Sequence, residues 1–306
     1  MTIKFLIINS GMHEKNKQGL IRLLEHLQKP LTDAGATKTQ IEYKFGSISD
    51  IPLYNIIYSP SQAINTSLYP HQKFIFGPHF STFPDHSQLQ ALQNHVHRNS
   101  IYIQPSEWVV QLWKNRGAEQ FLPVQAFAFP VDTDKFKPST NTATKAPPKD
   151  QILIYSKHRN PNELHYLITF LNQQQLTNYR IFDYKQRYQE EEYLNYLQQC
   201  KYGIILDAHE SQGFAIEEAL ACDIPLLVWN AQTMNQEYNA HYQPVPCTSI
   251  PYWNASCGEF FHKPDELFET FQRFQSQLQS QAYAPRQYIL ANLSTEKCAE
   301  RFLALI

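Results

Sequence analysis

The sequence predicts an α/β protein made of two Rossmann-like domains that face each other across a cleft. Apolar runs of strand length alternate with polar stretches of helical periodicity in both halves of the chain. The strand-like runs are nearly continuous rather than alternating, as in parallel strands covered on both faces. The stretch 138–150, PSTNTATKAPPKD, lacks any large apolar residue and reads as a solvated linker, after which the alternation restarts. A length of 306 residues against the ~150 of a typical domain fits two domains, placed here at 1–138 and 150–306.

Ile3–Ile8 is a nearly continuous apolar run, interrupted by Lys4 but without alternation, and is expected as a central strand. Lys15–Gln28 sets Leu20, Leu23, Leu24 and Leu27 at helical spacing, a buried stripe with basic residues outside it. Strands are predicted at Gln40–Phe45, Tyr54–Tyr58, Lys73–Phe76, Ser100–Gln104 and Phe121–Gln125. Helices Ser87–His97 and Ser106–Asn115 lie among them, Glu107 being read as a capping residue of the second. Beyond the linker, strands Gln151–Tyr155, Tyr179–Asp183, Tyr202–Leu206 and Pro225–Trp229 alternate with helices Asn162–Gln174, Glu190–Cys200 and Phe214–Cys222. Amphipathic helices Lys263–Gln279 and Ser294–Ile306, the latter N-capped by Ser294, close the second domain. Doubly wound domains bind ligands at the carboxyl ends of their strands, so function is sought there.

Composition narrows the classes. Lys plus Arg number 26 and Asp plus Glu 28, a net charge of −2 with no basic block, which argues against a nucleic-acid partner. Apolar residues at 42% and aromatics at 13% exclude a disordered chain. The opening run Phe5–Ile8 is shorter than a secretory core, and no window approaches the ~20 apolar residues of a spanning helix. A cytoplasmic protein is expected, with any membrane contact peripheral. Cys200, Cys222, Cys247, Cys257 and Cys298 are odd in number and never at C-x-x-C spacing, which points to buried free thiols rather than disulfides or zinc. The P-loop, nucleophile-elbow and simple dinucleotide fingerprints are absent. Asp132-Thr133-Asp134, set between Pro130 and Pro138, is read as a turn rather than a cation site. No metal and no cofactor are expected.

The most informative segment is His209–Trp229, HESQGFAIEEALACDIPLLVW, directly after the strand Tyr202–Leu206. Gly213 lets the backbone approach a ligand where the loop turns into a helix, and the free N–H groups at the start of Phe214–Cys222 suit a phosphate. Glu210 in the loop can accept hydrogen bonds from hydroxyls over that site. Ile216 and Leu220 point one way and Glu218 roughly opposite, toward solvent or the cleft, where its carboxylate suits a ribose diol. Glu217, about 100° round the helix, is expected to be an ordinary solvated acid.

Glu210, Gly213, Phe214, Glu218, Ala219, Ala221 and Pro225 resemble the E-x7-E segment of retaining glycosyltransferases of the GT-B fold, the family 4 group. Here Ser211-Gln212 shift the Gly-Phe pair by one, and Asp223 replaces the usual Gly. The run Pro123 to Pro138 is similar to the family's P-x-G-V-D-x-x-x-F-x-P stretch at the end of the first domain. The resemblance covers most of 120–230. It implies that Lys157 and Arg159, after the second domain's first strand, bind a donor diphosphate with Gly213 and Phe214, that Glu218 holds the ribose, and that Glu210 holds the sugar. From the first domain it implies that His79, in Gly77-Pro78-His79, lies near the transferred sugar, and that the Asn9–His13 loop, with Gly11 and His13, lies near the donor or acceptor.

The function so implied is metal-independent, retaining transfer of a sugar from a UDP-, GDP- or ADP-sugar to a hydroxyl acceptor on a glycan, lipid or protein. The alternatives are a nucleotide-sugar epimerase of the same fold and a non-catalytic two-domain ligand-binding protein. Base, sugar, acceptor and oligomeric state are not encoded legibly.

Overall fold

Thr2–Ile8 forms β1 in the computed structural model, which describes residues 2–28, 40–78, 86–139 and 149–306. Its last four residues are buried: Leu6 and Ile8 join a core with Ile57, Val109 and Trp113, and α1 (Glu14–Gln28) buries Leu20, Leu23 and Leu24. Full burial of each such side chain contributes about 1.5–3 kcal/mol. The first unit continues through β2 (Gln40–Gly46), β3 (Ile56–Ser59), β4 (Lys73–Phe76), α2 (His86–Gln93), β5 (Ser100–Gln104), α3 (Glu107–Asn115) and β6 (Val124–Ala126). The strands pair in parallel in the order β2-β1-β3-β4-β5-β6, with β1 interior as its apolar run requires.

In the first unit two elements depart from expectation by three or more residues at an end, as in the second do the helices expected at Glu190–Cys200 and Lys263–Gln279, observed at Glu190–Leu197 and Leu267–Gln279. α2 stops at Gln93 because the following histidine rings reach back to its last turn, His95 Nδ1 at 2.6 Å from the Ala91 carbonyl and His97 Nε2 at 2.9 Å from that of Leu92. The expected strand Phe121–Gln125 begins only at Val124, because Ala118–Gln120 is a 3₁₀ turn that runs into Phe121.

The second unit holds β7 (Gln151–Lys157), α4 (Pro161–Gln173), β8 (Tyr179–Asp183), α5 (Glu190–Leu197), β9 (Cys200–Asp207), α6 (Phe214–Ala221), β10 (Leu226–Trp229), β11 (Gly258–Phe261), α7 (Leu267–Gln279) and α8 (Pro285–Asn292). Its five strands run parallel in the order β11-β10-β9-β7-β8. The chain therefore leaves β7 to one side for β8 and crosses to the other for β9. That reversal opens the sheet between the carboxyl ends of β7 and β9.

β11 and α8 are new relative to the sequence reading. β11 is four residues long, and its register needs Gly258 at φ 141°, where a Cβ would meet the Leu226 carbonyl oxygen at 1.9 Å. α8 is eight residues with neither an N-cap residue nor a strong apolar stripe to announce it.

The partition also differs. The units divide as 2–130 with 293–306, and 131–292, whereas the sequence assigns all of 150–306 to the second domain. The last helix, α9 (Thr295–Leu305), belongs to the first unit: Phe302 packs against Phe5 and Phe127, each with ring centroids 5.6 Å apart. Residues 131–139 belong to the second unit, where Arg286 donates to the Thr133 and Phe136 carbonyls at 3.1 and 3.0 Å. The expected linker 138–150 lies mostly outside the described residues.

Asp132 sits in a turn, as its flanking prolines suggest: its Oδ1 accepts from the Lys135 N–H at 3.0 Å. Of the five cysteines, four are buried and Cys247 is half-buried. Among the described residues no helix is long and apolar enough to cross a membrane.

Candidate functional site

The switch point of the second sheet carries charge. Lys157 and Asp207, the last residues of β7 and β9, stand in register with each other. The Lys157 ammonium donates to Glu210 Oε1 at 2.5 Å and lies 4.9 Å from the centroid of the Tyr184 ring. Asp207 is wholly buried. Burial first, and then the Glu210 carboxylate beside it, push the Asp207 carboxyl well above the usual carboxylate range. Burial opposes ionisation of Glu210 too, but Lys157 and Asp207 together hold it below its ordinary value. The cluster thus sets one lysine among two carboxyl groups that are shifted in opposite directions, at the end of two adjacent strands.

Glu210 is positioned by its backbone, whose N–H donates to the Thr248 carbonyl at 3.0 Å. Three residues on, Gly213 caps α6 at φ 91° and ψ 48°, a left-handed conformation that favours glycine. A Cβ there would lie 3.3 Å from Glu210 Cβ. The Gly213 carbonyl accepts from the Ile216 and Glu217 N–H groups, and the N–H groups of Phe214 and Ala215 belong to the unpaired set at any helix start. The first turn of α6 is tied to α5 by Tyr193, whose hydroxyl donates to the Ala215 carbonyl at 2.9 Å.

Glu218 is buried, 5% exposed, and stands near Tyr188 and Tyr193. Burial first, opposed by a hydrogen bond with Tyr155 and then reinforced by the Glu218 carboxylate, pushes the Tyr188 hydroxyl up to about 12. Lys157 thus ends β7, while Glu210, Gly213, Phe214 and Glu218 belong to the loop after β9 and the helix that follows it.

Glu217 overturns an expectation. It is 1% exposed rather than solvated, because α6 is buried from Ile216 to Ala221 on every side and the preceding loop folds Gln212 onto it, Nε2 donating to Glu217 Oε2 at 3.1 Å. Burial, the largest cause, raises its carboxyl well above the ordinary value of 4.5. An acid raised on folding contributes stability that is complete below its unfolded value and is lost as pH rises through the folded one. Glu217→Gln, which keeps the acceptor and cannot ionise, is expected to raise Tm relative to the wild type by an amount that grows from pH 5 to pH 8. Melting curves across that range check it, and a gain that shrinks toward alkaline pH would contradict it.

Arg159 also departs from the diphosphate role that the resemblance implies. Its side chain is 1% exposed and its donors are committed: Nε and Nη2 to the two Glu163 oxygens at 2.9 and 2.7 Å, Nη1 to the Asp207 and Trp229 carbonyls at 3.1 Å each. The guanidinium fastens the ends of β9 and β10 to the start of α4.

Between Lys157 and Arg159, His158 turns the other way. With φ at 56° it sets Nδ1 3.0 Å from Glu237 Oε1, while His209 Nε2 stands 2.8 Å from Glu237 Oε2. Burial opposes it, but His209 and then His158 hold the Glu237 carboxyl below its usual range. Asp207, Glu237 and these two histidines are missing from the sequence reading. Asp207 carried a usable signal, an acid directly after an apolar strand, whereas Glu237 is distant in sequence from both its partners.

Of the first-unit candidates, His79 lies outside the described residues. Gly11 and His13 are exposed in the loop between β1 and α1, where the His13 carbonyl accepts the Lys17 N–H at 3.0 Å. Glu107 lies in the first turn of α3, behind Ser106 as N-cap.

No protein-family model matches the chain, and no curated protein matches it in sequence. Solved structures do match. A glycosyltransferase from Rickettsia africae superposes with a TM-score of 0.60 at 13% identity, covering 99% of this chain and 97% of that one. The fold is GT-B. This GT-B architecture of two parallel-sheet α/β domains is shared with sucrose-phosphate synthase from Thermosynechococcus elongatus, TM-score 0.58 at 10% identity over 99% and 98% of the two chains. An alpha-glucosyltransferase in complex with UDP and a 13-mer DNA gives 0.55 at 11% identity, over 100% and 99%.

Proposed function

We propose that this GT-B chain is a glycosyltransferase that moves a sugar from a nucleoside-diphosphate sugar to a hydroxyl acceptor, without a metal and with retention of configuration. The observation that carries the reading is the Lys157–Glu210 pair at the switch point beside the start of α6. In such a transfer the bond from the anomeric carbon to the diphosphate breaks, and negative charge builds on the leaving group. Lys157 and the first N–H groups of α6 supply fixed positive charge for it. Donor diphosphate competes with Glu210 for Lys157, which frees the Glu210 carboxylate to accept from sugar hydroxyls. Glu218 accepts from the ribose diol, and Arg159 holds the strand ends in place.

The solved complex of a GT-B neighbour with UDP supports a nucleoside-diphosphate donor. Retention, by same-face attack with the leaving phosphate taking the acceptor's proton, follows from the family 4 resemblance, as do the roles of His79 near the sugar and of Gly11 beside donor or acceptor. Independence from metal is supported by the presence of a lysine where the leaving charge develops.

The test is incubation of the purified chain with UDP-, GDP- and ADP-sugars, with and without EDTA, following released nucleotide. Release insensitive to EDTA is expected. Glu218→Ala is expected to raise the dissociation constant of the productive donor roughly ten- to a hundredfold, from the loss of charged hydrogen bonds of about 1.5–3 kcal/mol. A sugar altered but still attached to its nucleotide would replace the transferase reading with an epimerase, and donor affinity unchanged in Glu218→Ala would remove the ribose assignment.

A further inference from the structure

A cavity of about 630 Å³ opens in the second unit on the side of Trp229 and the start of α4, within the size range of small-ligand sites. Its walls come from α4 and from the 235–242 loop after β10. Three tyrosines in those walls are open to solvent, Tyr166 at 44%, Tyr238 at 41% and Tyr242 at 37% exposure. Carboxamides stand among them, and the Asn162 and Asn239 side chains are exposed. The loop holds two non-glycine residues in the left-handed region, Asn239 at φ 64° and His241 at φ 56°.

The charge balance selects the ligand class. No lysine or arginine lines the cavity. Its two carboxylates are engaged from behind, Glu163 in an ion pair with Arg159 and Glu237 by the ring nitrogens of His158 and His209. A phosphorylated ligand would find no lysine or arginine to pair with, His241 being the one basic side chain in the lining. A wholly apolar ligand would bury the carboxamides without partners. A neutral saccharide satisfies both conditions: its C–H faces lie against tyrosine rings, and its hydroxyls exchange hydrogen bonds with amides and carboxylate oxygens.

We infer that this cavity is a second binding site, for a neutral saccharide chain, separate from the Lys157–Glu210 site. It does not rest on the transferase reading, since binding is measured without donor or turnover. Glu237 nevertheless joins the two places, because its partners His158 and His209 adjoin Lys157 and Glu210 in sequence.

The experiment is isothermal titration of the full chain with neutral trisaccharides of glucose, galactose, mannose and N-acetylglucosamine, each to about 20 mM, alongside glucose 6-phosphate and UDP. At least one neutral trisaccharide is expected to bind with a dissociation constant of about 0.1–5 mM. Tyr238→Ala is expected to weaken it roughly tenfold and Asn162→Ala roughly fivefold. Both positions are exposed, so UDP affinity and melting temperature should stay at wild-type values in the two variants. Absence of binding by all four neutral probes, preference for glucose 6-phosphate over them, or unchanged binding in both variants would overturn the inference.

Discussion

Lys157→Met is expected to lower turnover of the donor by about a hundred- to a thousandfold, the loss typical of removing one preorganised group at a developing oxyanion. Two consequences follow from the same side chain, and they separate a catalytic defect from a folding one. Lys157 is the counter-charge of Glu210, and both are largely buried, at 17% and 12% side-chain exposure. Removing one member of such a pair costs about 3–5 kcal/mol. In the wild type Glu210 is lowered, so it contributes stability above its unfolded value that disappears as pH falls through the folded one. Without Lys157 burial dominates and the carboxyl moves upward, reversing that dependence. The stability gap between wild type and variant should therefore be small near pH 4 and widen toward pH 8 in urea titrations. Lys157→Arg restores a charge but not a compact ammonium, and is expected to recover stability more fully than turnover. Turnover at the wild-type level in Lys157→Met would end the assignment.

The parallel strands were legible because both of their faces are buried: Phe5–Ile8 has no polar face to show. Both sheets, and the helices that carry leucine stripes, follow from that. What stayed hidden was decided by contacts distant in sequence. The stripe of 294–306 reads equally well against either domain, and only Phe302 seated on Phe5 decides between them. β11 is too short to stand out from its surroundings. The places of Glu210, Gly213 and Lys157 were readable, because each stands at the end of a strand or at the start of a helix that the apolar pattern marks. Glu217 was not. A wheel drawn on α6 sends it to solvent, but Gln212 and the packing around the helix close that side.

Arg159 was misread for a related reason. A basic residue in a strand-end loop suits a phosphate, and nothing local reveals that its donors are already taken. The structure makes a different, sharper expectation. The guanidinium holds Glu163 through two parallel bonds and reaches carbonyls at the ends of two strands, while stacking 5.4 Å from the Trp229 ring centroid. Arg159→Met leaves the Glu163 carboxylate without its counter-charge and the Trp229 carbonyl without its side-chain donor, while Ser249 Oγ still donates to the Asp207 carbonyl, a cost of about 3–5 kcal/mol. At roughly 2–4 °C of Tm per kcal/mol for a unit of this size, melting should fall by about 6–20 °C. Arg159→Lys should recover less than half of that, because a single ammonium cannot serve the carboxylate fork and both carbonyls together. Donor affinity measured well below the lowered Tm is the deciding quantity. If Arg159 is a positioning residue, affinity changes by less than about fivefold in the lysine variant, whereas a guanidinium in contact with the diphosphate would cost about a hundredfold with little change in melting.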